Sequence, residues 1–164
     1  MYNNEKGFLM SFKALIFEQQ KGTYAAYKYS KRTEGWLNQF IDNHKLPEPN
    51  RDFHTTLLYS TVEAPTLSTS GGDINVSPVT FAGFEKFGAA LVIKLNAPYM
   101  VERHKELMNK HPELVYDYDE YIPHITLSYD AEHIDTATLD TSYFNGFEFE
   151  VVLEYHEALD LEWA

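Results

Sequence analysis

His54 and Thr56 stand two residues apart in "FHTTLLYS" (53–60), and His124 and Thr126 stand two apart in "PHITLSYD" (123–130). A strand has a period of two, so each histidine shares a side with its threonine. Phe53, Thr55, Leu57 and Tyr59 take the other side of the first strand, and Ile125 and Leu127 that of the second. Each strand then offers an apolar face to a core and, opposite, one imidazole and one hydroxyl. Imidazole titrates near neutrality, at ~6.5 when unperturbed, so one copy can be neutral while the other is charged. The neutral copy can take a proton from an attacking hydroxyl, and the charged copy can give one to a leaving oxygen. Thr56 and Thr126 can donate hydrogen bonds where charge develops on non-bridging phosphate oxygens. This chemistry suits phosphoester cleavage without a metal. One His-x-Thr alone is an everyday accident of strand sequence; two, each followed by Leu in matched surroundings, carry the signal.

The elements around the motifs repeat as well. "GTYAAYKYS" (22–30) reads as a strand with Tyr24, Ala26 and Lys28 on one face and Ala25, Tyr27 and Tyr29 on the other. "KRTEGWLNQFIDNHK" (31–45) places Trp36, Leu37, Phe40, Ile41 and His44 at helical spacing. "LPEPN" ends that helix, because each proline disfavours helix at the residue before it. The first motif strand follows, and then a polar, glycine-containing loop, "APTLSTSGGD" (64–73). The second half runs through strand-like "NVSPVTFAGFEKFG" (75–88), apolar "AALVIKLNA" (89–97) and helical "PYMVERHKELMNKHPE" (98–113). "LVYDYDEYIP" connects to the second motif strand, "DTATLD" reads as a short helical turn, and "FEFEVVLEYHEALDLEW" (147–163) as one or two closing strands. A helix precedes each motif strand. The expectation is an α+β bilobal domain, with two antiparallel sheets facing a central cleft and helices on the outer faces. Residues 1–10 read as a loose N-terminal leader and 11–164 as one domain. Its lobes fall at about 11–69 and 70–164, and the pattern allows strands to exchange between them.

Composition narrows the partners. The 164 residues carry a net charge of -12, which argues against a long nucleic acid, since such binding rests on Lys and Arg neutralising phosphates. There is no cysteine, so disulfides and thiolate metal sites are excluded. No apolar run approaches the ~20 residues of a membrane span, and a cytoplasmic setting is expected. His44, His104, His111, His133 and His156 make no metal-ligand spacing. Asp117, Asp119 and Glu120 cluster ahead of the second motif and read as a solvated turn. No metal and no cofactor is expected.

At His54-Thr55-Thr56-Leu57 and His124-Ile125-Thr126-Leu127 the chain resembles the 2H phosphoesterases, a family with two His-x-Thr/Ser motifs, over about residues 22–164. Within that family it is similar to the phage-encoded anti-CBASS nucleases, on "KGTYAAYKYS", "FHTTLLYS", "LNAPYMVERHKELM", "YIPHITLSYD" and the acidic "EYHEALDLEW". The resemblance implies a bilobal α+β fold with the four motif residues in a central cleft. It implies metal-independent cleavage of 3′–5′ linkages in cyclic di- and trinucleotide immune signals, cyclic GMP-AMP among them, by attack of a neighbouring ribose 2′-hydroxyl. The place of action would be the cytoplasm of an infected bacterium. Two other readings stand beside it: a phosphodiesterase of RNA ends or 2′,3′-cyclic phosphates, and a sponge that holds a cyclic nucleotide uncut. Neither the residues nor the resemblance decides which histidine is base and which is acid.

Flat bases stack on aromatic rings, and Tyr24, on the face of the first strand aimed at the cleft, is a candidate to hold one. The resemblance, in which an aromatic lies some thirty residues past the first motif histidine, implies Phe84 as a second substrate-binding residue, with Phe87 as its alternative. Glu154, or Glu150, is a candidate acceptor for a guanine edge. Trp163 reads as a lid or as packing.

Overall fold

The computed structural model describes residues 21–64, 67, 77–116, 118 and 120–160. The leader at 1–10, most of the polar loop, Asp117, Asp119 and Trp163 lie outside the described residues.

Two antiparallel three-stranded sheets form the frame. β1 (Lys21–Tyr29) lies between β2 (His54–Ser60) and β6 (Val151–Asp160). β4 (Ala90–Asn96) lies between β3 (Thr80–Phe87) and β5 (His124–Ser128). The grammar is the same in both: a central strand, a helix, then the motif strand folded back beside the central one. α1 (Lys31–His44) joins β1 to β2, and α2 (Pro98–Lys110) joins β4 to β5. The order is that of an α+β chain with two related halves. β6, from the end of the second half, completes the first half's sheet.

Local chemistry sets the helix ends. The Ser30 hydroxyl accepts from the Thr33 N–H at the start of α1, and Lys45 takes a left-handed conformation (φ 52°) at its end. Pro98 opens α2, where its missing N–H costs nothing.

Each helix covers the sheet of the other half. Phe40 of α1 stacks on Phe84 of β3, with ring centroids 5.4 Å apart. On α2, Tyr99 meets Tyr27 of β1 edge-on, His104 bonds the Leu57 carbonyl of β2, and Arg103 pairs with Glu154 of β6. The core is one continuous apolar cluster beneath both sheets, with Leu37, Phe40, Phe53, Leu57, Leu58, Leu91, Ile93, Met100, Ile125 and Leu127 at its heart.

Both motif strands bulge at the same place. Opposite β1, Leu58 pairs with Ala25 and Thr56 with Ala26, which leaves Leu57 without a cross-strand partner. Opposite β4, Ser128 pairs with Leu91 and Thr126 with Val92, which leaves Leu127 without one. An extra residue bends the strand and resets its alternation. Strict alternation puts Tyr59 on the core face; the bulge instead buries both Leu57 and Leu58 and turns Tyr59 out, 43% exposed.

Candidate active site

The four motif residues lie on the sheet faces that the helices leave open, and all are half-buried. β2 and β5 come into contact where the two sheets meet, so the open faces share one cleft. Register makes the halves equivalent. His54 lies opposite Lys28 and Thr56 opposite Ala26; His124 lies opposite Lys94 and Thr126 opposite Val92. Ala26 and Val92 are buried floor beneath the two threonines.

The histidines are anchored alike. The Nδ1–H of His54 donates to the carbonyl of Asp52 at 2.8 Å, and the Nδ1–H of His124 donates to the carbonyl of Ile122 at 2.8 Å. A carbonyl can only accept, so Nδ1 carries a proton in both rings and Nε2 is the atom left for chemistry. Burial pushes the His124 ring below its ordinary 6.5; the Ile122 carbonyl works the other way, and the charge of His54 adds to the lowering. The two imidazoles are therefore close enough for a charge on one to disfavour a charge on the other.

Side chains from the connection ahead of each motif strand bond the backbone of the other. The Tyr121 hydroxyl donates to the Thr56 carbonyl at 2.8 Å, and the Asn50 side-chain amide donates to the Thr126 carbonyl at 2.8 Å. Each bulge carbonyl is met as well: Leu57 by His104 Nδ1 at 2.9 Å, Leu127 by the Asn50 N–H at 2.8 Å. Bulging strands would otherwise bury polar groups without partners.

Of the residues expected to hold substrate, Tyr24 is in the cleft. Its hydroxyl lies 3.3 Å from Thr56 Oγ1, and its ring meets Tyr155 edge-on at 6.0 Å. Phe84 is elsewhere: it lies opposite Ile93 on the core face and packs on Phe40 and Phe81. Phe87 is the cleft aromatic of that strand, with its ring 4.9 Å from His124. Glu154 is also elsewhere. It lies opposite Tyr27 on the helix-covered face, 2% exposed, and Arg103 and His156 take its oxygens. Register decides this, because Tyr155, its neighbour, lies opposite Ala26 in the cleft. Glu150 precedes β6 and its backbone bonds Ser30 and Thr33 at the α1 cap.

Sequence reasoning passed over Tyr155, Lys94, Asn50 and Tyr121. Alternation through Tyr24, Ala26 and Lys28 carries the signal for the cleft face of β1, and with β6 in register it reaches Tyr155. Nothing in the sequence points to Asn50 or Tyr121, whose work is defined by contacts across the halves. Among the described residues, no three of His, Asp and Glu converge as a metal-binding group. No described helix is long and apolar enough to cross a membrane.

The family profile described as "Anti-CBASS protein Acb1" matches residues 21–164, which takes in both motifs. The chain belongs to the Acb1 anti-CBASS family. Acb1 relatives named "Anti-CBASS protein Acb1" include that of Vibrio phage KVP40, 32% identical over 152 residues, covering 90% of this chain and 94% of the relative. Another is from Enterobacteria phage T4, 31% identical over 148 residues, covering 87% and 91%. The fold is also that of E. coli LigT in its apo form, at a TM-score of 0.54 and 16% identity, covering 85% of this chain and 83% of that one. This Acb1 family member thus has a 2H phosphoesterase fold, two antiparallel sheets with the His-x-Thr strands adjoining at the centre.

Proposed function

We propose that the protein is a metal-independent phosphodiesterase that cuts 3′–5′ linkages of cyclic di- and trinucleotide signals and so disarms CBASS defence in the cytoplasm of an infected bacterium. The observation that carries this reading is the matched anchoring of His54 and His124, with both Nδ1 atoms tied to backbone carbonyls and both Nε2 atoms left free to exchange protons.

Burial disfavours the charged form of His124, which suits it to be the base, and His54 takes the complementary acid role. His124 Nε2 removes the proton of the ribose 2′-hydroxyl. The 2′-oxygen attacks the adjacent phosphorus in line, and the bond to the 5′-oxygen breaks. His54 Nε2–H gives its proton to that departing oxygen. Thr56 and Thr126 hydroxyls donate to the non-bridging oxygens as their charge grows. The product end is a 2′,3′-cyclic phosphate, which water then opens to a 3′-phosphate. Tyr24 and Tyr155 supply ring faces beside the site for a base.

The test is product chromatography after incubation with a panel of cyclic di- and trinucleotides, cyclic GMP-AMP included, with and without EDTA. Turnover that survives EDTA and vanishes when a 2′-deoxyribose adjoins the scissile phosphate is expected. Loss of turnover on chelation rejects the metal-free route, and normal turnover of the deoxy substrate rejects the internal attack. Preferential cutting of 2′,3′-cyclic-phosphate RNA ends assigns the protein to that other substrate class, and a stable complex without product makes it a sponge.

A further inference from the structure

Lys28 and Lys94 occupy equivalent places that the reaction as described does not use. Each lies directly across the sheet from a motif histidine: Lys28 from His54 on β1, Lys94 from His124 on β4. Direct cross-strand neighbours project to the same side, so both lysines share the cleft face with the imidazoles. Both are partly covered, with side chains 32% and 35% exposed. Each is capped by one more exposed acid: Lys28 Nζ lies 2.6 Å from Asp52, and Lys94 Nζ lies 2.9 Å from Glu85. Lys28 Nζ also stands 5.9 Å from the Tyr155 ring centroid, which places it over the aromatic side of the cleft.

In a chain with 25 acidic and 13 basic residues, this symmetry calls for a reason. The two histidines account for one phosphate. A cation outside each of them has no part in the proton transfers, yet a substrate with further phosphates has charges to place there. An exposed ion pair is weak, so an incoming phosphate can take the lysine from its carboxylate. The same carboxylates neutralise the lysines while the cleft is empty, and the acidic surface around them repels long polyanions.

We propose that Lys28 and Lys94 are phosphate-binding residues that flank the scissile position and select ligands carrying more than one phosphodiester, the class to which cyclic oligonucleotides belong. This rests on the substrate class proposed above, but its test does not need cleavage. Calorimetry compares a 2′-O-methylated cyclic dinucleotide, with two phosphates, and a 2′-O-methylated dinucleoside monophosphate, with one. Blocking the 2′-hydroxyl separates binding from turnover. Lys28→Gln and Lys94→Gln are probed singly and together, with Lys28→Arg and Lys94→Arg as charge-retaining controls. The double glutamine variant is expected to bind the ring at least about tenfold more weakly, the loss that follows from one charge-assisted hydrogen bond. It is expected to bind the one-phosphate ligand within about twofold of wild type, the spread of a substitution that touches nothing in the complex. The arginine variants should restore ring affinity. Ring affinity that the glutamine variants leave unchanged overturns the proposal, as does equal weakening of both ligands, which marks a general charge effect. Wild-type protein that binds the ring in this lysine-dependent way yet does not cut the unmethylated ring rejects the phosphodiesterase reading alone.

Discussion

Asn50 and Tyr121 brace the site in opposite directions. Asn50 leads into the His54 strand and bonds the Thr126 carbonyl; Tyr121 leads into the His124 strand and bonds the Thr56 carbonyl. Each connection that delivers one motif thus fixes the backbone of the other. Among the described residues no ladder joins β2 to β5. The backbone bridge beside Asn50, with Asn50 N–H on the Leu127 carbonyl and Tyr129 N–H on the Glu48 carbonyl, shares with these two side chains the task of setting the mutual position of the imidazoles.

Removing either brace should therefore loosen the site as well as the fold. Tyr121→Phe and Asn50→Ala each leave a motif carbonyl without its donor, at a cost of about 1–3 kcal/mol. Urea unfolding measures that cost. Turnover per folded molecule should fall too, and the double variant should lose less than the sum, since both act on one junction. Strict additivity of the two losses in turnover would mean that each brace serves only its own strand.

The motif strands were legible because chemistry and periodicity agree there. His54, Thr56, His124 and Thr126 share parity with each other, and the bulges come only after the threonines. Beyond the bulge alternation fails, and Tyr59 faces solvent where the pattern buries it. Glu154 and Phe84 show the same limit from another side. A one-residue change of register exchanges the faces of a strand, and only the pairing partner decides which face is which. For Glu154 that partner is Tyr27, more than a hundred residues earlier in the chain. Which sheet each helix covers is equally invisible, since an apolar stripe states that a partner exists and not which one.

Replacing either histidine removes one proton-transfer group. His54→Ala or His124→Ala should each lower turnover by roughly 10²–10⁴, with circular dichroism unchanged because both rings are half-buried at the cleft. The pH profile separates their roles. With His124 as the base, kcat/KM falls on the acid side as that ring gains its proton. Burial lowers its pKa, so the acid limb should lie below the ordinary 6.5. An acid limb above that value would reject His124 as the base.

Tyr24 touches both the machinery and the room for a base. Tyr24→Phe removes only the hydroxyl that lies 3.3 Å from Thr56 Oγ1. Turnover should drop by about fivefold, the worth of ~1 kcal/mol for one neutral hydrogen bond, with KM little changed. Tyr24→Ala removes the ring as well, and KM should then rise in line with the ~1–3 kcal/mol of one stacked base. Steady-state kinetics on one cyclic dinucleotide checks both. A rise in KM already present in Tyr24→Phe would assign the hydroxyl to substrate binding.

Glu154 offers the sharpest separation of structure from recognition. Its carboxylate lies under α2, with Arg103 Nε and Nη2 on it at 2.9–3.2 Å and His156 Nε2 at 2.7 Å. Burial works against its charge, but the bonds from His156 and Arg103 outweigh it and hold the carboxyl below its usual 4.5. A depressed carboxyl stabilises the fold above its unfolded value, and that contribution fades as pH drops through the folded value. Among the described residues, Glu154→Gln leaves Arg103 with Glu106, at 2.6 Å, as its one carboxylate partner. The variant should lose about 3 kcal/mol at neutral pH, the low end for breaking a buried pair, since Arg103 is partly in solvent. Its stability should also decline less steeply than wild type below pH 4.5, because the titrating group is gone. Turnover per folded molecule should stay within about twofold, as for a change remote from substrate. A large rise in KM with stability intact would return Glu154 to the reading of a base edge and would require β6 to present its other face to the cleft.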